Sequence, residues 1–87
     1  MKKENTTDKE FLSFIINSIV DDTDGVRIDR SVDEMGVLLS VHVKTDDMRK
    51  VIGKQGSIIE AIRKLVRSVG MKNGSHVNVR IEEPDGK

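Results

Sequence analysis

The sequence of 87 residues predicts a single α+β domain with the element order α-β-β-α-α-β. Apolar residues recur at helical spacing in residues 8–21 and 57–69, whereas apolar and polar residues alternate in residues 37–43 and 77–81. Turn-forming residues separate these segments. The two helices between the second and third strands are long enough for a parallel crossover. We therefore expect a mixed three-stranded sheet covered on one face by three helices.

The first helix is predicted to start after Thr7, because Thr7 and Glu10 form a capping-box pattern. It should end near Asp21, before the turn-forming segment 22–25. Both phenylalanines of the chain lie in this helix, and we expect both to be buried. The residues of its apolar stripe are Phe11, Leu12, Ile15, Ile16 and Ile19.

The next two segments are typical of an antiparallel hairpin. A short first strand is predicted from Val26, Ile28 and Val32, although Arg30 breaks its alternation. A turn at residues 33–36 joins it to the second strand, in which the alternation is regular.

The last strand follows an Asn73-Gly74 turn, and Pro84 is expected to stop it. Because strand side chains alternate between the two faces, the face away from the helices should be open to solvent or a partner. Two histidines are too few for a metal site, so we expect both on the surface. The open face is predicted to carry Ser40, His42, His76, Asn78 and Arg80.

Two helices precede the last strand. Thr45 is the predicted N-cap of the first, a short helix, with Asp46 and Asp47 in its first turn, where the helix dipole favours carboxylates. Gly53 should end the short helix and Gly70 the longer one. The longer helix is predicted to bury Ile58, Ile62, Leu65 and Val69, with Ile59 and Val66 alongside, and to expose Glu60, Arg63, Lys64 and Arg67.

The formal net charge of zero hides an uneven distribution. Residues 44–72 carry eight basic and three acidic side chains, whereas residues 1–43 carry five basic and nine acidic ones. Such asymmetry indicates a face for a polyanion, although solvation alone also explains exposed Lys and Arg on a helix.

The apolar stretch 11–20 is too short to span a bilayer and no cleavage site follows it, so we expect a cytoplasmic protein without a targeting segment. Without Cys, the chain has neither disulfides nor a thiolate metal site.

One segment between the two later helices stands apart, the GKQG loop of residues 53–56. A tight helix-to-helix connection needs backbone freedom, which is a structural explanation for Gly53 and Gly56. Glycine also lets the backbone of a ligand approach closely. The N-terminus of the following helix offers N–H groups and a partial positive charge that suit a phosphate. Lys54 adds a full charge and Gln55 two further donors.

The run 50–56, KVIGKQG, followed by Ala61-Ile62-Arg63, resembles the (V/I)-I-G-x-x-G-x-x-I signature of KH domains. Together with the element order, it is similar to the type II, or prokaryotic, KH fold. The resemblance covers nearly the whole chain, whose length is similar to that of the small stand-alone bacterial KH proteins, the KhpA family. It implies one KH domain over residues 8–83, with tails at residues 1–7 and 84–87.

The resemblance implies a groove for about four nucleotides of single-stranded RNA, with the GKQG loop against the sugar-phosphate backbone. Ile52 and Ile59 would line this groove or belong to the core beneath it. Ser57 departs from the family pattern, which often has Arg there, and with Glu60 it would form a capping box instead. The implied RNA-binding residues are Lys50, Ile52, Gly53, Lys54, Gln55, Gly56, Ser57, Ile59 and Arg63.

The family resemblance further implies low sequence specificity, a role in RNA metabolism or as an RNA chaperone, and pairing as a homodimer or with a larger KH-containing protein. The alternative is a KH-shaped protein-interaction module whose partner carries the RNA specificity.

The chain has no Trp or Tyr, so we do not expect bases to stack on exposed rings as in RRM or cold-shock domains. Walker-loop spacing and nucleophile motifs are absent, so we expect no enzyme, no cofactor and no small-molecule substrate.

Overall fold

The computed structural model describes residues 6–82, and it confirms the α+β class and the α-β-β-α-α-β order. The sheet has the strand order β1-β2-β3, with β2 in the centre. Within the described residues, no helix is long and apolar enough to cross a membrane. The elements are α1 (Thr7–Ile19), β1 (Arg27–Asp33), β2 (Gly36–His42), α2 (Met48–Ile52), α3 (Ser57–Lys72) and β3 (Val77–Glu82).

The central strand β2 pairs antiparallel with β1 and parallel with β3. Leu39 is fully buried and lies opposite Val79 of β3. Val37 and Val41, two residues to either side, are also buried, whereas the intervening side chains are half-buried on the other face. The predicted alternation of β2 is therefore confirmed. It places a core of aliphatic side chains between the sheet and the helices.

In β1, Arg30 breaks the apolar alternation because it forms a buried ion pair. Its Nε atom donates to Asp8 Oδ1 at 3.0 Å and its Nη2 atom to Asp8 Oδ2 at 3.4 Å. The Arg30 side chain is 11% exposed and that of Asp8 5%. A buried charge needs such a partner, so the pair ties α1 to β1. Val32, by contrast, is largely exposed near the end of the strand.

Two predictions about α1 are wrong. The N-cap is Thr6 rather than Thr7, and its hydroxyl donates to the Glu10 carboxylate at 3.3 Å instead of capping a helix amide. Phe14 is 71% exposed rather than buried. Leu12 and Ile16 are fully buried, and a residue two positions from each lies about 200° away around the helix. Phe14 therefore points to solvent.

In α3, the predicted buried stripe is shifted and the predicted end is wrong. Gly70 lies inside the helix, which continues to Lys72. A Cβ at Gly70 would lie 2.5 Å from Val77 Cγ2, so glycine lets β3 pack closely against the helix. Ile58 and Leu65 are partly exposed at the edge of the apolar stripe. The residues that α3 buries are Ile59, Ile62, Val66 and Gly70.

The segment before α2 also differs from the prediction. Thr45 is not an N-cap, because it begins a 3-10 turn, Thr45–Asp47, that leads into α2. Asp46 is exposed, whereas Asp47 is buried. The Asp47 carboxylate accepts the backbone N–H groups of Asp21 and Asp22, each at 3.1 Å. Asp47 therefore holds the α1–β1 connection in place.

Candidate nucleic-acid interface

The GKQG loop is a tight turn between α2 and α3. The Gly53 N–H donates to the Arg49 carbonyl at 2.8 Å, which ends α2, and the Gly56 N–H donates to the Gly53 carbonyl at 3.2 Å. Residues Lys54–Gly56 form a single 3-10 turn, after which α3 starts at Ser57. These bonds fix the backbone of the loop while Lys54 and Gln55 stay exposed.

The two glycines of the loop are required for different reasons. Both have a positive φ, 78° at Gly53 and 79° at Gly56. A Cβ at Gly53 would lie 2.5 Å from Ile58 Cγ1 and 2.8 Å from the Ile58 nitrogen, so the chain itself leaves no room there. A Cβ at Gly56 would meet no atom within 4 Å. Gly56 thus presents bare backbone to open space, where another molecule's backbone can approach.

Gln55 also adopts the left-handed conformation, with φ 56° and ψ 28°. It is the only non-glycine residue with a positive φ in the part of the chain that the structure describes. This conformation costs an L-residue roughly 1–2 kcal/mol. Backbone strain of this kind clusters at functional sites. It supports a binding role for the loop.

The first turn of α3 differs from the predicted capping box. Gly56 is the N-cap and Ser57 is the first helical residue, and no side chain caps the helix. Glu60 instead pairs with Arg63 one turn later. The Ser57 side chain is therefore left exposed at the helix N-terminus, where the helix dipole is positive and favours an anion.

Two lysines before the loop form ion pairs with carboxylates, whereas the lysine in the loop does not. Lys50 Nζ lies 3.2 Å from Asp21 Oδ2, and a hydrogen bond to Asp21 raises the pKa of Lys50. Lys44 is paired in the same way with Asp22 at 2.9 Å. Lys54 has no ion pair with any residue in the range 6–82. The unpaired charge of the loop is therefore at its tip.

Further unpaired cations lie on α3. Lys64 and Arg67 are exposed, seven and ten residues after Ser57, and they have no ion pair within the described range. At a rise of 1.5 Å per residue they lie roughly 10 and 15 Å along the helix from the loop. They extend the positive charge away from Lys54 on the solvent side of α3.

Arg63 was predicted to contact RNA, but the structure gives it internal partners. Its Nε atom donates to the Val79 carbonyl of β3 at 3.1 Å, and its Nη1 atom donates to Glu60. Its side chain is 32% exposed. Arg63 thus connects α3 to the edge strand, and any contact with a ligand would have to be made by its remaining donors.

The apolar residues beside the loop are placed differently from one another. Ile59 is 6% exposed and belongs to the core, whereas Ile52 is half-buried and packs against the core. Ile58, which was predicted to be buried in the stripe, is 37% exposed and lies against Gly53. It is therefore the most exposed apolar side chain next to the loop. The sequence could not predict this position of Ile58, because its contact with Gly53 forms only when the loop is folded.

The open face of the sheet carries charged pairs. His42 Nε2 lies 3.2 Å from Asp29 Oδ2 and 3.2 Å from Arg27 Nη2. Arg80 pairs with Glu82 at 2.8 Å. No group of three or more His, Asp or Glu residues among residues 6–82 is arranged to hold a metal ion.

Comparison with known proteins gives the family. The model for the KhpA/KhpB KH domain matches residues 9–81, which include the whole GKQG loop. The chain belongs to this family. Similar proteins named RNA-binding protein KhpA come from several bacteria and align over almost their full length.

Over 73 residues the chain is 38% identical to that of Clostridium perfringens (strain 13 / Type A), covering 84% of this chain and 97% of that protein. Over 75 residues it is 39% identical to that of Chlamydia pneumoniae, covering 86% and 96%. Over 79 residues it is 33% identical to that of Borreliella burgdorferi (strain ATCC 35210 / DSM 4680 / CIP 102532 / B31), covering 91% and 96%. No solved structure matches the chain.

Proposed function

We propose that this chain binds single-stranded RNA by holding the sugar-phosphate backbone against the GKQG loop and the first turn of α3. The observation that carries the proposal is the open space at Gly56, where bare left-handed backbone lies beside the exposed Lys54. A phosphate there would meet the positive end of α3 and one ammonium group. Ile58 supplies apolar surface beside the loop.

Membership of the KhpA/KhpB family supports this proposal, since the similar proteins are named as RNA-binding proteins rather than as enzymes. Contacts to the backbone carry no sequence information, so we propose low sequence specificity and a general role in RNA metabolism or as an RNA chaperone in the cytoplasm. With two or three phosphates engaged, the logarithm of affinity should fall with that of salt at a slope of about −1.5 to −2.

Pairing is a further part of the proposal. A single copy with so few phosphate contacts should bind weakly, and two linked copies would bind more tightly through effective concentration. We propose a homodimer or a complex with a larger KH-containing protein, which the name of the KhpA/KhpB family suggests.

The double variant Lys54→Asp, Gln55→Asp tests the clamp. Both residues are exposed, and Asp tolerates the left-handed conformation of residue 55, so the fold should survive. We expect an affinity loss of about tenfold or more for a labelled ten-nucleotide oligouridine, measured by fluorescence anisotropy, because a phosphate would face carboxylates. Circular dichroism verifies the fold.

A matched control is Lys72→Asp, Asn73→Asp, which changes the net charge equally at the other end of α3, where both residues are exposed. It should bind RNA with at most a small loss. If the folded loop variant binds as tightly as the control, the GKQG loop is not the clamp.

A further inference from the structure

Lys50 lies in α2, one turn before Gly53, and its ammonium group forms an ion pair with a carboxylate of the α1–β1 loop, residues 20–26. Its Nζ atom is 3.2 Å from Asp21 Oδ2 and 3.8 Å from Asp47 Oδ1. The side chains of Lys50 and Asp21 are 43% and 80% exposed, so this pair can open without unfolding. A three-residue separation on α2 puts Lys50 about 4.5 Å along the helix from the loop.

The backbone of Asp21 stays beside α2 whether or not this pair is formed. Asp47 accepts the N–H groups of Asp21 and Asp22, each at 3.1 Å, and Asp22 is paired with Lys44 at 2.9 Å. Asp47 is 2% exposed and fixed by these bonds. Of the two carboxylates next to Lys50, the exposed one of Asp21 is therefore the one that can turn away, while the bond to Asp47 holds its backbone in place.

We propose that the Asp21 carboxylate competes with an RNA phosphate for Lys50 and thereby lowers the affinity of the GKQG loop for RNA. This inference rests on the proposed function. When a phosphate reaches Lys50, Asp21 must leave its partner, and its negative charge then lies close to the RNA. Asp21 is thus an affinity-determining residue that does not itself bind the ligand.

The competition predicts a distinctive salt dependence. A lysine that neutralises a phosphate normally releases a counterion and adds about 0.7 to the salt slope for a single strand. In the wild-type protein, the freed Asp21 carboxylate takes up a cation in turn, so the contact made by Lys50 contributes little to the slope. Removal of the carboxylate charge should restore that contribution.

The experiment compares Asp21→Asn, Lys50→Gln and the double variant in oligouridine binding at several salt concentrations. Asp21→Asn keeps the backbone N–H that Asp47 accepts, so the loop should stay in place. We expect it to bind about two- to fivefold more tightly, which is within the range for an exposed ion pair, with a salt slope steeper by about 0.7. In the Lys50→Gln background, Asp21→Asn should change neither quantity by a comparable amount.

Glu34→Gln is the control, because it removes one negative charge from an exposed turn at the other end of β2. It should leave the affinity within experimental error. An equal gain from Asp21→Asn with and without Lys50, or no gain at all, would overturn the competition. Loss of RNA binding in the Lys54, Gln55 variant then still supports the clamp, so the two proposals fail separately.

Discussion

Two loops of this molecule contain similar elements but differ in how their polar groups are satisfied. The α1–β1 loop, residues 20–26, and the GKQG loop each contain one 3-10 turn and at least one glycine. In the α1–β1 loop, Asp22 accepts the Asp24 N–H and pairs with Lys44, while Asp47 binds the backbone. In the GKQG loop the bonds are between backbone groups, and the polar side chains are exposed.

This difference shows that charge density alone does not identify a loop whose charge is open to a ligand. The α1–β1 loop is rich in charge, but Asp21 and Asp22 form ion pairs with Lys50 and Lys44 of the same chain. The GKQG loop has a single cation, Lys54, without an ion pair in residues 6–82, next to backbone that is open at Gly56. We therefore expect a ligand to bind where exposed polar groups of the protein have no partner within the described chain.

The largest expected effect comes from alanine substitution at Gly53, and the same substitution at Gly56 is its comparison. Gly53→Ala should destabilise the fold by about 3 kcal/mol, because a Cβ would overlap Ile58 and the backbone is in a region that essentially only glycine adopts. Gly56→Ala should cost about 1 kcal/mol, the left-handed penalty alone. Urea unfolding measures both.

The same pair of variants separates stability from binding. Gly56→Ala should stay folded and bind RNA more weakly, because its methyl group occupies the open space that we assign to the ligand backbone. Equal stability losses at the two positions would contradict the distinction between them.

A second prediction concerns the anchor of the α1–β1 loop. Asp47→Ala removes the acceptor of two backbone N–H groups in a nearly inaccessible position, so we expect a loss of about 2–3 kcal/mol in the free energy of unfolding. The adjacent Asp46→Ala is the control. Asp46 is exposed, and its substitution should change stability by no more than about 0.5 kcal/mol. Similar losses for both would show that helix-dipole effects, rather than the loop bonds, determine the role of Asp47.

The smallest effect is expected for the surface pair of Asp22 and Lys44. The hydrogen bond from Lys44 lowers the pKa of Asp22 below its ordinary 3.8, and the same bond raises the pKa of Lys44 above 10.5. A lowered acid pKa contributes stability above about pH 4 that is lost as the pH falls. The raised lysine pKa contributes stability below about pH 10 that is lost as the pH rises.

Asp22→Asn should therefore reduce the fall in Tm between about pH 7 and pH 3, measured at low salt. Asparagine keeps an acceptor for the Asp24 N–H, so the turn itself should remain. An unchanged acid dependence in this variant would show that the pair contributes nothing to stability, as is common for exposed pairs.

The sequence predicted the fold well where the pattern is local. The regular alternation of β2 and the position of Gly53 at the end of α2 were both predicted and confirmed. The prediction failed for Gly70, because a glycine that ends a helix and a glycine that admits a neighbouring strand look the same in sequence. Phe14 was assigned to the core from its hydrophobicity alone, although its helical position places it opposite Leu12 and Ile16.

In the candidate site, too, local sequence patterns were predictable and contacts between distant segments were not. The GKQG loop and its family were predicted from residues 50–63, and the family is confirmed. Its RNA contacts remain predictions. The internal partners of Lys50 and Arg63 could not be predicted, because Asp21 and Val79 lie 29 and 16 residues away in the chain.

The sequence by itself determined the elements, their order and the glycine-bounded loop, since periodicity and backbone freedom are properties of neighbouring residues. The tertiary structure alone decided which charges are paired and which are open to a ligand. Asp46 and Asp47 are adjacent and chemically identical, yet one is exposed and the other anchors a distant loop. Burial and distance between remote segments separate them, and neither quantity exists until the chain has folded.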